Sequence, residues 1–152
     1  MNTTGSFVIR VYGIIINENQ EVLLSDEFQM GMRMTKFPGG GLEFGEGTIA
    51  GLRREFREEC NGQELKNIKH FYTTDFFQKA LFYDNKQLIS IYYTAEIDKP
   101  VKLQTSDISF DFQDNTNGNQ SFRWVKIKNL NEDEITFPID KFVTGKLKQH
   151  FL

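Results

Sequence analysis

The sequence predicts one α+β domain, and three observations lead there. Short segments rich in β-branched and aromatic residues recur along the chain, separated by turn residues, as antiparallel strands do. Only two longer stretches, about residues 48–59 and 140–151, carry helix signals. The 152 residues are about the size of one ordinary domain and contain no repeat, low-complexity segment or linker, so 1–152 reads as a single unit.

The elements follow in order. Ser6 to Ile16 reads as a strand, Asn17 to Gln20 as a turn, and Glu21 to Leu24 as a short returning strand. FQMGMRMTKF, residues 28–37, reads as irregular, with Arg33 and Lys36 among methionines and phenylalanines. A glycine-rich loop follows, then a helix from about Thr48 to Glu59. Residues 68–97 return to a β pattern, with Asp84-Asn85 marking a hairpin between two strands. Residues 104–120 are polar and read as a long loop, before SFRWVKI supplies another strand. Asn131 to Glu134 suits the cap of a short helix, and Asp140 to Phe151 a terminal helix.

The composition narrows the function classes. A formal net charge of −3 provides no bulk attraction for nucleic acid or anionic membrane, so specific binding to either is not expected. The single cysteine, Cys60, permits no intrachain disulfide and fits a reducing compartment. The N-terminus lacks a signal-peptide pattern, and no apolar run approaches the roughly 20 residues that span a bilayer. The expected location is the cytoplasm.

The informative stretch is PGGGLEFGEGTIAGLRREFREECNG, residues 38–62. At about 100° per residue, Ile49, Leu52, Phe56 and Cys60 form one apolar stripe on the helix. Arg53, Arg57 and Arg54 form a basic sector, and Glu58, Glu55 and Glu59 an acidic one beside the stripe. Glu55 faces both Glu58 and Glu59 at helical spacing, which mildly destabilises the helix, and the last two also oppose the helix dipole. A divalent cation resolves both conflicts. Oxygen donors without nearby His or Cys suit Mg²⁺ or Mn²⁺ rather than zinc. The plain alternative is a solvated charged face in which Arg54 pairs with Glu58. Pro38-Gly39-Gly40-Gly41 argues for the cation, because little side-chain bulk lets backbone approach a ligand closely.

These residues resemble the Nudix hydrolase box: a Gly, five residues, a Glu, seven residues, then Arg-Glu-apolar-any-Glu-Glu-any-Gly-apolar. Gly40, Glu46, Arg54, Glu55, Phe56, Glu58 and Glu59 meet it in register, and FPGGGLE is similar to the family's lead-in. Asn61 stands at the box's final glycine, with Gly62 at the apolar position after it. Asn is the next-best residue for a left-handed helix cap, so this departure bears on the helix exit and lies beyond every candidate ligand.

The resemblance extends over nearly the whole chain. It implies a mixed β-sheet between helices, an α/β/α sandwich, and metal-assisted hydrolysis of a nucleoside diphosphate linked to another moiety. Glu58 and Glu59 are then expected as metal ligands, Glu55 as a ligand or the carboxylate that orients water, and the Gly40 carbonyl as a further ligand. Arg54 and Glu46 take supporting roles, Arg54 bracing the carboxylates and Glu46 holding the loop against the helix. Relatives often add an acid from outside the box, for which Asp114 is the nearest candidate, with Asp111 and Asp107 behind it. Arg33 and Lys36 precede the loop and are candidates for phosphate oxygens. The competing reading is a catalytically silent Nudix-fold module that senses a nucleotide; such modules usually lose box glutamates, which this chain keeps. Substrate identity and a homodimer both stay open at this stage. His70, His150, Trp124 and the strand aromatics, including Tyr92 and Tyr93, are read as surface or core.

Overall fold

The computed structural model describes residues 4–151. In chain order the elements are β1 (Ser6–Ile15), β2 (Glu21–Gln29), β3 (Met32–Lys36) and β4 (Gly39–Gly41). Helix α1 (Thr48–Glu59) follows, then β5 (Leu65–Thr73), β6 (Lys86–Ile97), β7 (Gln120–Lys126) and helix α2 (Pro138–Phe151). Two single 3₁₀ turns, Ile127–Asn129 and Glu132–Glu134, lead from β7 to α2.

One sheet has the order β4-β1-β6-β5 and the other β3-β2-β7. β1 and β6 run parallel, from Ser6 opposite Lys86 to Ile15 opposite Ala95. Strand alternation sends Tyr12, Ile14 and Tyr92 to one face of this sheet, and Val11, Ile15, Tyr93 and Ala95 to the other. α2 covers the first face with Ile139, Val143 and Leu147, while α1 covers the second with Leu52, Phe56 and Cys60. β2 contributes to both clusters, Val22 and Leu24 on the α2 side and Leu23 on the α1 side. The β structure therefore lies between two helices, the α+β sandwich expected. No helix among the described residues is long and apolar enough to cross a membrane.

Several local readings change. Residues 28–37 are a hairpin: β2 runs to Gln29, turns at Met30 (φ 51°) and Gly31 (φ 74°), and returns as β3. Two left-handed residues in succession are what a tight two-residue turn requires, and Met30 lacks the Asn or Asp signature that announces one. Asp84-Asn85 is a turn, with Asn85 at φ 53°, but it joins β6 to an isolated bridge at Lys79 rather than to a second full strand. Ile49 is 42% exposed, so the buried stripe of α1 begins one turn later than its periodicity suggests. The exit of α1 is as expected: Asn61 takes φ 56°, and the Gly62 N–H donates to the Arg57 carbonyl at 2.9 Å, a glycine-type cap built on asparagine.

Candidate active site

The glycines and the glutamate helix fit each other at atomic distance. β4 pairs Gly39, Gly40 and Gly41 with Tyr12, Val11 and Arg10 of β1. Gly39 has φ 151°, and a Cβ there would stand 2.0 Å from the Val11 carbonyl oxygen. At Gly40 the neighbour differs, since a Cβ would lie 2.5 Å from the Glu55 carboxyl group. The bare backbone of Gly40 thus makes room for a carboxylate on the buried edge of the acidic sector.

Arg54 ties the loop to that sector. Its guanidinium grips Glu46 through two hydrogen bonds, at 2.7 and 3.0 Å, and donates to the Gly41 carbonyl at 3.0 Å. The remaining terminal nitrogen reaches Glu55 at 3.1 Å and Glu58 at 3.3 Å, with Glu43 at 3.7 Å. A guanidinium has five N–H donors in a fixed fork, which is why one side chain can serve so many acceptors. Hydrogen bonds from Arg54, with help from the Glu43 backbone, hold the Glu46 carboxyl down at about 2.

Glu59 lies deeper. Burial pushes its carboxyl up to about 7, with Glu27 and Glu55 adding repulsion, against the attraction of Lys36 and a hydrogen bond from Gln120. Lys36 and Glu27 form a buried ion pair at 3.1 Å, and Lys36 also reaches the Gly39 carbonyl at 3.4 Å. The glutamates are graded in exposure: the Glu58 side chain is 58% exposed and the Glu55 side chain 12%.

Among the sequence candidates, Gly40, Glu46, Arg54, Glu55, Glu58, Glu59 and Lys36 come together here. Arg33 and Asp114 do not join them. Arg33 donates to Asn115 at 3.1 Å and lies over the Phe110 ring, because a residue three positions from Lys36 on one strand points to the opposite face. The Asp114 carboxylate accepts from Thr116 and Asn119 within its own loop. Sequence reasoning missed Glu27, Arg10 and Asp140. Arg10 had a signal, since charge at an inward position of an otherwise apolar strand is rare. Asp140 had none, because an acid in the first turn of a helix is ordinary.

The acid groups among the described residues do not form a ready-made metal cage of three ligands. Arg54 instead stands between Glu55 and Glu58. The donor set still fits a hard divalent cation. Glu55, Glu58 and Glu59 offer only oxygen, Gly40 has no side chain in the way, and a cation would offset the cost of burying the Glu59 carboxylate, to which Glu27 and Glu55 add.

A family model described as NUDIX domain matches residues 7–144. Similar solved structures include a MutT chain from work on Aliivibrio salmonicida and Vibrio cholerae, 24% identical, with TM-score 0.63, covering 95% of this chain and 99% of that one. A NUDIX hydrolase from Nitrosomonas europaea is 17% identical, with TM-score 0.65 and coverages of 94% and 88%. The E. coli ORF135 protein is 15% identical, with TM-score 0.66 and coverages of 93% and 88%. At these identities the likeness is one of fold. No curated protein sequence matches the chain.

Proposed function

The chain belongs to the NUDIX domain family, and from that premise we propose that it is a metal-dependent pyrophosphohydrolase acting on a nucleoside diphosphate linked to another moiety. The observation that carries the reading is the contact between Gly40 and Glu55: a loop without side-chain bulk lies against the carboxylate that needs the space.

Glu58 and Glu59 would hold Mg²⁺ or Mn²⁺, with the Gly40 carbonyl as a further ligand. Bound there, the cation supplies charge neutralisation at the phosphates and makes water more acidic. Glu55 either joins the ligands or orients the attacking water, and a carboxylate beside that water can accept its proton. Arg54 keeps the carboxylates apart and aligned, while Glu46 fastens Arg54 to the loop. Lys36 offers a positive charge to phosphate oxygens at the inner end of the loop. Arg33 and Asp114, engaged elsewhere, have no part in this reading.

The test is a hydrolysis screen over nucleoside triphosphates and nucleotide sugars with Mg²⁺ and with Mn²⁺. Glu58→Gln is expected to lose most activity and to keep its melting temperature in EDTA, since the Glu58 side chain is largely solvated. Absence of turnover on every substrate, or a fully active Glu58→Gln, would sink the assignment.

A further inference from the structure

Two cavities converge on Glu59 and its polar neighbours. The first, of about 330 Å³, is walled by Glu27 and Lys36 and ends at Asp140, whose Oδ1 accepts from the Tyr92 hydroxyl and whose Oδ2 has no hydrogen-bond partner. The second, of about 300 Å³, lies between Glu59 at the end of α1, the loop that follows Leu103, and the start of β7. Gln120 joins the two: its amide donates to Ser25 at 2.9 Å and to Glu27 at 3.2 Å, and its side chain also bonds Glu59. A substrate with one moiety at each end of a diphosphate needs two such spaces.

The second cavity is polar without being basic. Gln104, Thr105, Ser106, Gln120 and Ser121 contribute amides and hydroxyls, and Asp111 a carboxylate. Among the described residues that line it there is no lysine or arginine, whereas the first cavity holds Arg10 and Lys36. A phosphate seated in the second cavity would face Asp111 and Glu59 with no protein counter-charge. Sugar hydroxyls both donate and accept, which suits a wall of amides, hydroxyls and one carboxylate. Leu103 and Phe122, both buried, give the C–H face of a sugar ring an apolar floor.

The wall that carries Asp111 is held in a strained form. Phe110 has φ 53°, a left-handed conformation that a bulky residue keeps only where its surroundings enforce it. Its N–H donates to Asp26 at 3.2 Å, and its ring lies under the Arg33 guanidinium at 4.9 Å. Asp26 is fully buried and also accepts from Thr35 at 2.7 Å and from Arg123 at 2.7 and 3.3 Å. One carboxylate thus ties the loop to β3 and β7, and an ion pair alone gives no reason for it to take a donor from a strained residue. Beyond Phe110, Asp111 Oδ2 accepts from the Ser106 hydroxyl at 2.6 Å, and the Ser106 N–H donates to the Phe122 carbonyl at 2.8 Å. Asp111 Oδ1 makes no hydrogen bond among the described residues and stays open to a ligand.

We propose that the second cavity holds the moiety beyond the diphosphate as a neutral, hydroxyl-rich group, a sugar, and that Asp26 keeps the cavity in shape through Phe110. This rests on the pyrophosphohydrolase reading and selects nucleotide sugars over nucleoside triphosphates as its substrate class. Asp111 and the neighbouring amides and hydroxyls contact the sugar, while Asp26 is a positioning residue that touches no substrate.

The test compares kcat/KM with Mg²⁺ for pairs that share a base: ADP-glucose with ATP, UDP-glucose with UTP, and GDP-mannose with GTP. The sugar member of the best pair is expected to be favoured roughly tenfold or more. Asp111→Lys puts a cation into the cavity and is expected to lower that ratio about tenfold, whereas loss of a group needed for turnover alone would lower both members equally. Asp26→Asn breaks a buried ion pair, so the tether is tested from the loop end. Phe110→Gly adopts φ 53° freely but loses the ring under Arg33, and should lower the ratio by a similar factor while melting near the wild type. No preference for the sugar member, or a ratio unmoved by Asp111→Lys, would overturn the sugar site, and a ratio unmoved by Phe110→Gly would overturn the role of Asp26. Hydrogen exchange of residues 104–112 separates the two readings. Protection by nucleotide sugars and not by triphosphates, with no turnover of any pair, would sink only the pyrophosphohydrolase reading. Neither protection nor turnover would sink both, and turnover indifferent to the sugar would sink only this one.

Discussion

Asp140→Asn carries a stability expectation that needs no ligand. Burial dominates at Asp140, ahead of the opposing pulls of the Tyr92 hydroxyl, Lys36 and Arg10, and the carboxyl rises from 3.8 to about 6. A shift of that size corresponds to roughly 3 kcal/mol. Well below pH 3.8 the group is protonated in both folded and unfolded chains, so its protonation does not change stability. As pH rises from about 3 to 6 the unfolded chain gives up the proton to water more readily, and the folded state is destabilised by that amount. Asparagine does not titrate. The stability of Asp140→Asn relative to the wild type should therefore climb by roughly 3 kcal/mol between pH 3 and pH 7, whatever constant offset the amide introduces. In a domain of this length the melting difference should widen by roughly 6–12 °C. Urea unfolding and thermal melts in EDTA at pH 3, 4, 5, 6 and 7 would measure it. A difference that stays flat would mean burial does not dominate at Asp140. A difference that shrinks as pH rises would mean Lys36 and Arg10 hold the carboxylate as a stabilising ion pair.

Two further perturbations separate structural from functional roles. Gly39→Ala and Gly40→Ala differ by one position, but the first drives a Cβ into the backbone of β1 and the second into the end of the Glu55 side chain. Gly39→Ala should cost about 3 kcal/mol or more. Gly40→Ala should change stability by less than about 1 kcal/mol and lower turnover about a hundredfold by displacing Glu55. Melting curves beside kcat for both variants would check this, and the reverse ranking would refute the division of labour between the two glycines. Arg123→Met should cost roughly 3–5 kcal/mol, because it leaves the fully buried Asp26 carboxylate without its 2.7 Å ion-pair partner. Urea midpoints would measure that loss, and one below about 1 kcal/mol would mean that Thr35 and the Phe110 N–H suffice to hold Asp26.

What could be read in advance was whatever sits close together in the chain. Gly40, Glu46, Arg54, Glu55, Glu58 and Glu59 belong to one loop and one helix, so spacing alone displays them. The helix bounds and the Asn61 exit follow from local rules of the same kind. Residues brought in by strand pairing were not legible. Glu27 reaches Lys36 because β2 and β3 form a hairpin whose turn, Met30-Gly31, carries only half of the usual signature. Asp140 reaches Tyr92 across 48 residues, through the docking of α2 on the sheet, which no local pattern encodes. Arg33 and Lys36 look equivalent in a segment read as irregular. Once that segment is a strand, alternation decides that only one of them faces the cavity.

The Arg54–Glu58 pair sharpens the choice between a solvated charged face and a site. A solvated face requires only that pair, at the i,i+4 spacing, and it is present at 3.3 Å. The same guanidinium, however, also holds Glu46 by two bonds, Glu55 by one and the Gly41 carbonyl by one. Surface pairing gives no reason for an arginine to serve a loop carbonyl and carboxylates from both loop and helix, nor for Gly40 to be bare where Glu55 arrives. The glutamates also run from the solvent at Glu58 toward Glu59, whose carboxyl burial has raised to about 7 and which feels the charges of Lys36 and Glu27. Lys36 and Glu27 are themselves walls of the Asp140 cavity. A purely solvated helix face would end at the helix, whereas this one continues through a buried ion pair into a cavity with an unmet acceptor at its far end. The folding cost of burying that charge is explicable if cation and nucleotide bind along a single path.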